Sequence, residues 1–463
     1  MAGFVNRSEE LDRLHGLFDS ETADLAVVYG RRRLGKTRLV KKALEGRENA
    51  VFYQARQKTR ELQLEQFVEA AAEAVPGIED VRPDWERLFR HLGDQNAIVV
   101  LDEFPYLIEQ DESLPSVLQA LFDHEFDDSE TTFVLVGSSI SMMEEATLLG
   151  DSPLYGRTSL TLDIRELSFD AATEFFTDGA TADEAVRTWG VFGGVPYYLE
   201  ELDADRSLGE NIQQTVLTRH GSLRNEPEYV LRMELTEPTR YFSILEAIAG
   251  GATGRSEIAG VTGIDYNQLS TYLDGLSRLR LVERHVPVTE KPERSKRSQY
   301  RLRDPLFRFW FRFLYGSADR YDQFGEEAYD RLVEPELADF VAPAFERLCC
   351  EALWTLYDET PIVDVGQWWY QDHEIDVVGL TDEDTLVVGE CKYQASPLDY
   401  SALASLETHV EELRWQPSDG STRTVEYALF SRSGFSDSIR DAARERDDVR
   451  LYTIDDVVAA LGG

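Results

Sequence analysis

Residues Gly30-Arg31-Arg32-Arg33-Leu34-Gly35-Lys36-Thr37 have the spacing G-x-x-x-x-G-K-T. The two glycines let the backbone curl until its N–H groups face one point, where a phosphate chain can sit. Lys36 adds a mobile cation for the β- and γ-phosphates of ATP, and Thr37 adds a hydroxyl for Mg²⁺. The nucleotide-binding stretch read this way, a P-loop, runs on through Arg38. Asp102 and Glu103 form a second acidic pair at the end of an apolar run. There Asp102 would hold Mg²⁺ through water, and Glu103 would polarise the attacking water.

A second set lies toward the other end. Leu386, Val388, Glu390 and Lys392 share one strand face, because side chains repeat every two residues, and Asp376 stands on the strand before them. Two carboxylates and an ammonium gathered at adjacent strand ends could hold Mg²⁺ or Mn²⁺ beside a phosphodiester, with Lys392 orienting or helping to deprotonate water. Glu346, on a helix over about Ala342–Leu353, could support the metal. Between the two sets, residues 291–303 carry Lys291, Arg294, Lys296, Arg297, Arg301 and Arg303 against one acid, Glu293. Such a run could grip DNA phosphates, for which Lys291, Arg294, Lys296 and Arg297 are the candidates. It could equally dock on an acidic part of the same chain.

These residues need elements to position them. Asp24–Tyr29 is a short β-branched apolar run that leads directly into the P-loop, and a helical stretch follows it. Ala97–Leu101 leads into Asp102, and Thr131–Val136 leads into Gly137-Ser138. With Ala50–Tyr53 and Leu160–Ile164 they predict a five-stranded parallel sheet. Residues 166–225 alternate helical stretches with Gly and Pro breaks. From Thr239 the pattern changes. Phe242, Leu245, Ile248 and Ala249 have helical spacing, Ser256–Ala259 is a short helix, and Leu269, Leu273, Leu276 and Leu279 mark a third over Tyr266–Arg280. Leu281–Val288 and Gln299–Arg303 then read as two strands, which completes a winged helix-turn-helix pattern. An aromatic-rich stretch, Arg303–Gly316, leads onward to the strand Ile362–Trp368, the two strands carrying Asp376 and Glu390, and a helix over Ala402–Leu413.

The P-loop, the Asp-Glu pair, the start Phe4-Val5-Asn6-Arg7-Ser8-Glu9-Glu10-Leu11, Ser152–Arg157 (SPLYGR) and Gly193–Leu199 (GGVPYYL) together resemble the AAA+-related archaeal P-loop ATPase family. The resemblance spans nearly the whole chain. It implies that Ser138 senses the γ-phosphate, that Arg157 is an arginine finger acting in cis or on a neighbouring subunit, and that Gly194 and Pro196 set a helical lid over the adenine. Members commonly carry a C-terminal PD-(D/E)xK nuclease-like domain, formerly of unknown function, which matches Asp376, Glu390 and Lys392 here. The fold class expected is α/β: a P-loop ATPase core at 1–165, a helical lid at 166–235, a winged helix-turn-helix at 236–315, and a restriction-endonuclease-like domain at 325–463. Two functions fit. One is an ATPase coupled to DNA binding and metal-dependent DNA cleavage, in mobile-element maintenance, repair or defence. The other is a nucleotide-gated regulator that binds DNA or a partner and cuts nothing.

Composition frames both readings. Among 463 residues there are 87 acids and 47 bases, a net charge of −40, and only seven of the bases are lysine. Self-repulsion on this scale is tolerable where salt shortens the Debye length, and the balance resembles proteins of salt-in halophilic archaea. No apolar stretch approaches the ~18 residues of a membrane span, and no leader pattern opens the chain, so a cytoplasmic protein is expected. Cys349, Cys350 and Cys391 lack the spacing of a disulfide or zinc framework. ATP, DNA and further copies of the chain are the expected partners.

Overall fold

Apolar runs without alternation should be buried on both faces, and the middle of the first sheet follows that rule. The computed structural model describes residues 6–176, 179–235, 238–416 and 422–462. Strands β1 (Asp24–Tyr29), β2 (Ala50–Gln54), β3 (Ile98–Asp102), β4 (Thr132–Gly137) and β5 (Leu160–Asp163) pair in parallel in the order β2-β3-β4-β1-β5. The central three are buried at every position, whereas β2 and β5 are partly exposed edges. Register places Tyr29 beside Gly137 and Asp102 beside Val136. The P-loop, Asp102-Glu103 and Ser138 therefore leave one edge of the sheet together. Beneath it, Phe67, Trp85, Phe89 and Phe133 meet at ring distances of 5.2–5.9 Å.

The chain divides into two compact units, Gly3–Glu166 and Leu167–Gly463. The second opens with short helices and the longer helix Ala182–Phe192, then the three helices Pro238–Ala249, Arg255–Thr262 and Tyr266–Arg278. The antiparallel pair β6 (Val282–His285) and β7 (Gln299–Leu302) follows. Its larger sheet holds β8 (Ile362–Tyr370), β9 (His373–Thr381), β10 (Thr385–Lys392), β11 (Thr424–Ser431) and β12 (Val449–Thr453) in the order β12-β11-β10-β9-β8. β8, β9 and β10 run antiparallel, and β10, β11 and β12 run parallel. Leu386 and Val388 are fully buried among Leu403, Leu406 and Val410 of helix Tyr400–Glu412, so their strand face does look into a core.

The long helix Glu334–Leu356 carries Glu346. The aromatic stretch is the joint of this unit. Phe309 and Phe313 pack on Phe340 of the long helix at 5.6 and 5.5 Å, while Trp310 and Phe311 reach Phe242 of the first of the three helices. Among the described residues no helix is long and apolar enough to cross a membrane.

Phe89 touches three aromatic neighbours and is fully buried. Phe89→Ala should cost the first unit about 3–5 kcal/mol, measured by denaturant unfolding at constant salt.

Candidate functional site

The P-loop bends at three residues with positive φ: Gly30 (149°), Arg33 (73°) and Gly35 (83°). A side chain at Gly30 is excluded, because its Cβ would stand 2.3 Å from the carbonyl oxygen of Ile164. Helix Lys36–Ala43 starts at once with Gly35 as its cap, so the positive end of its dipole adjoins the loop. Lys36 is 7% exposed, and its Nζ donates to the carbonyl oxygens of Gly30 (2.8 Å) and Arg31 (2.7 Å). Leu34 is buried and anchors the loop from below, Arg31 lies 3.5 Å from Glu166, and Arg32 lies 3.5 Å from the Tyr106 hydroxyl. Arg33 and Arg38 lie on the exposed side.

Asp102 is 1% exposed, and its Oδ2 accepts from Thr37 Oγ1 (2.9 Å) and Gln54 Nε2 (3.0 Å). Burial pushes this carboxyl above its ordinary value and the charge of Glu103 adds to the push, while the Thr37 bond opposes it. A buried carboxylate crowded by a second acid and bonded to a hydroxyl is a donor set that fits Mg²⁺, which takes one or two carboxylates and completes its shell with water. Gln54 was not among the expected residues. Its signal lay in the β2–β3 register, which sets it directly beside Asp102.

Glu103 has φ 54°, a strained value for a residue with a side chain. Ser138 Oγ lies 3.1 and 2.8 Å from its two carboxylate oxygens and donates to them. The hydroxyl thus orients the acid here. Arg157 is held in the same unit by Asp123, with Nε and Nη2 donating to the two carboxylate oxygens at 2.7 and 2.8 Å. An arginine finger at this position has to leave that pair.

In the second unit, Gly194 lets two backbones touch: its carbonyl accepts from Leu167 N at 2.8 Å, and a Cβ there would meet the Leu167 oxygen at 2.2 Å. Pro196 begins helix Pro196–Glu200. Asp376 lies within β9 rather than at its end, just past the last β9–β10 pair, Val377 with Gly389. Where pairing stops, the N–H of Cys391 is released to donate to Asp376 Oδ2 at 2.9 Å. Burial, then the charges of Glu346 and Glu390, push the Asp376 carboxyl up to about 8. Lys392 Nζ is bonded to Glu390. Burial pulls its ammonium down, but the Glu390 bond and charge outweigh that and leave it raised. Glu346 is pushed up by burial and pulled down by Arg301.

Among the described residues no three Asp, Glu, His or Cys side chains form a ready metal cage. Asp376 and Glu390 supply two carboxylates, which suits a divalent ion that keeps several waters.

The basic run separates into two parts. Arg297 is docked: its Nε donates to Glu290 at 2.9 Å, its Nη1 donates to the Trp369 carbonyl at 2.7 Å, and its guanidinium covers the Tyr370 ring. Arg301 donates to Gln367 Oε1 (2.7 Å), and Gln367 Nε2 donates to Glu346 Oε2 (3.0 Å). Lys291, Arg294 and Lys296 are exposed, with no ion pair among the described residues.

A P-loop lysine, a buried Asp102 with the half-buried Glu103 beside it, and a polar residue just past an inserted strand mark the first unit as a P-loop ATPase. Residues 4–202 match the family described as an ATPase domain predominantly from Archaea, and residues 310–405 match one described as archaeal and bacterial proteins of unknown function. An uncharacterised protein of Methanocaldococcus jannaschii is 34% identical over 386 residues, covering 82% of this chain and 85% of that one. The chain belongs to this family of archaeal ATPases. An uncharacterised ATP-binding protein of the same organism is 51% identical over 45 residues, 10% of this chain and 76% of that one. Among solved structures, a Walker-type ATPase of Pyrococcus abyssi aligns with TM-score 0.49 and 19% identity over 67% of this chain and 96% of that one. The ORC2 protein of Aeropyrum pernix aligns with TM-score 0.43 and 17% identity over 71% and 96%.

Two outcomes are expected. Lys36→Ala should weaken Mg-ATP binding by about 2–5 kcal/mol, and Glu103→Gln should keep binding while slowing turnover roughly 10²–10⁴-fold, as measured by nucleotide titration and phosphate release. For Asp376 the folded carboxyl titrates near 8, far above its unfolded value, so the native state binds the extra proton between the two. Stability of the metal-free protein should therefore fall as pH rises from ~4 toward 8, and Asp376→Asn should remove that slope. Denaturation in EDTA across that range reads it directly.

Proposed function

We propose that this protein is a Mg²⁺-dependent ATPase whose nucleotide cycle controls a DNA-binding and DNA-cleaving C-terminal region. The observation that carries the ATPase half is the bond from Thr37 to a buried Asp102, next in the chain to Glu103, which pairs with Ser138. When bound, Mg²⁺ would neutralise phosphate charge, with Thr37 and Asp102 as its holders. Lys36 leaves the loop carbonyls for the β- and γ-phosphates, Glu103 orients the attacking water and takes its proton, and Ser138 keeps Glu103 in place. Residues 30–38 contact the nucleotide. Arg157 acts as a finger toward a further copy once released from Asp123. Mixing Arg157→Ala with Lys36→Ala protein should then recover part of the lost turnover, and no recovery would favour a role in cis or a structural one.

In the second half, the three helices and the β6–β7 pair are a winged helix-turn-helix, and the larger sheet is a PD-(D/E)xK nuclease-like fold. Asp376 and Glu390 are its metal carboxylates, Glu346 a supporting acid, and Lys392 the group that orients water. Lys291, Arg294 and Lys296, unpaired on an otherwise acidic chain, support DNA phosphate binding. Arg297 is assigned to docking instead, because its guanidinium is already occupied by Glu290 and Trp369. The alternative, a nucleotide-gated regulator that binds DNA or a partner and cuts nothing, is favoured by the Lys392–Glu390 ion pair, which occupies both groups.

Two measurements in molar KCl separate the readings. Replacing Lys291, Arg294 and Lys296 with Gln should weaken binding about equally for unrelated DNA sequences and lower the slope of log K against log salt by roughly 0.9 per lost contact. With Mg²⁺ or Mn²⁺ and ATP, Asp376→Ala, Glu390→Ala and Lys392→Ala should each abolish cleavage of linear, supercoiled or branched DNA while ATP hydrolysis persists. Wild type that cuts none of these forms establishes the regulator.

A further inference from the structure

The basic loop between β6 and β7 is held at many points. Within it, Glu290 Oε2 accepts from the Ser295 hydroxyl at 2.5 Å, and Oε1 accepts from Arg297 Nε at 2.9 Å. From β6, Arg284 donates to the Ser298 hydroxyl at 2.8 Å and to the Ser295 carbonyl at 3.2 Å. The N–H groups of Arg294 and Ser295 close a turn on the Lys291 carbonyl at 3.0 and 3.1 Å. A backbone tied this closely has little freedom left to lose when its exposed side chains, Lys291, Arg294 and Lys296, take a ligand.

The same loop touches the tip of the larger sheet. β8 and β9 are joined by a two-residue turn, Gln371-Asp372, with Tyr370 paired to His373 across it and Gln371 at φ 53°. Arg297 Nη1 donates to the Trp369 carbonyl at 2.7 Å, and its guanidinium lies over the Tyr370 ring, 5.2 Å from the centroid. A second tie runs from Val288 N to the Gln367 carbonyl at 2.9 Å. The turn itself is braced by His373, which packs edge-on to His409, whose Nδ1 lies 2.6 Å from the Glu374 carbonyl oxygen. With all this, Tyr370 is still 39% exposed.

A ring open to solvent thus stands beside three exposed cations that have no ion pair among the described residues. Glu290–Arg297 and Tyr370–His373 together hold four cations and three acids, one of which, Glu290, is spent on Arg297. On a chain of net charge −40 that is a local reversal of sign. Paired DNA offers phosphates to such a surface but keeps its base faces stacked inside the duplex. A single strand offers both, and every base has a face on which an aromatic ring can stack.

We propose that the β6–β7 loop and the β8–β9 turn form a site for single-stranded DNA. Tyr370 stacks on an unpaired base, while Lys291, Arg294 and Lys296 hold the flanking phosphates. Arg297 is a positioning residue, because it fixes the turn through Trp369 and covers the ring that the base meets. The proposal rests on the DNA-binding part of the proposed function and names the form of DNA; it needs neither cleavage nor nucleotide. In molar KCl the Debye length is ~3 Å, so phosphate contacts weaken while stacking of an uncharged ring persists.

The test is binding of a thymidylate oligomer of about 16 nucleotides, the upper end of the site sizes of such surfaces. Its duplex with the complementary strand is measured alongside, by fluorescence anisotropy over a series of KCl concentrations in EDTA. Tyr370→Ala should weaken oligomer binding about 5- to 100-fold, the range of one lost base stack, and duplex binding less than about 2-fold. Tyr370→Trp should restore the oligomer. In Tyr370→Ala the slope of log K against log salt should stay that of wild type, because no phosphate contact is lost. Replacing Lys291, Arg294 and Lys296 with Gln should instead lower the oligomer slope by roughly 0.7 per contact. A merely structural role for Tyr370 would weaken both forms together. Equal losses for oligomer and duplex, or an oligomer affinity unchanged in Tyr370→Ala, overturn the proposal. Wild type that binds the duplex and not the oligomer also overturns it and leaves the DNA-binding reading standing; wild type that binds neither removes both.

Discussion

The insertion of β4 between β1 and β3 organises the catalytic edge of this protein. Were β1 and β3 adjacent, nothing would stand between the P-loop and the acidic pair. With β4 between them, Ser138 emerges at the middle and donates to Glu103, while Thr37 and Gln54 close on Asp102 from the two sides. The three central strands are buried throughout, so their ends can be positioned by packing rather than by loops. That rigidity is what holds Glu103 at a left-handed φ, where a free residue would relax.

Both candidate sites confine carboxylates where water would otherwise solvate them. At Asp102 the crowding is moderated by two neutral donors. At Asp376 it is sharper, because the charges of Glu346 and Glu390 both push on it, and among the described residues one backbone N–H donates to its side chain. Such arrangements cost stability in the metal-free protein and gain it back when a cation binds. On a chain of net charge −40 the surface adds to the same repulsion. The many arginine–carboxylate pairs, several of them bidentate, offset it locally in a geometry that lysine could not match.

The C-terminal unit shows how a basic sequence can divide its labour. Arg297 and Arg301 bind the β8 edge, where Val288 N donates to the Gln367 carbonyl, and so attach the hairpin to the sheet. Lys291, Arg294 and Lys296 stay exposed beside them. Charge alone does not separate the groups, since all five are cations. What separates them is whether a carbonyl, an amide or a carboxylate happens to stand within reach in the folded state.

The sequence by itself determined the strands of the first sheet, the P-loop and the acidic pair, because apolar runs ending in Gly-Lys-Thr or Asp-Glu are local patterns whose chemistry follows from neighbours in the chain, whereas β11 and β12 were not read from it. It also placed Leu386 and Val388 on one buried face through simple alternation. Only the tertiary structure decided the rest. Gln54, Gln367 and Asp123 acquire roles through partners 48, 21 and 34 residues away, and Tyr393 meets Asp183 across 210. No periodicity records such distances. The same holds for Asp376, whose place inside β9 was set by where pairing with β10 ends. Local spacing fixes which groups a segment can offer; burial and register, which arise only when distant segments pack, decide which of them meet.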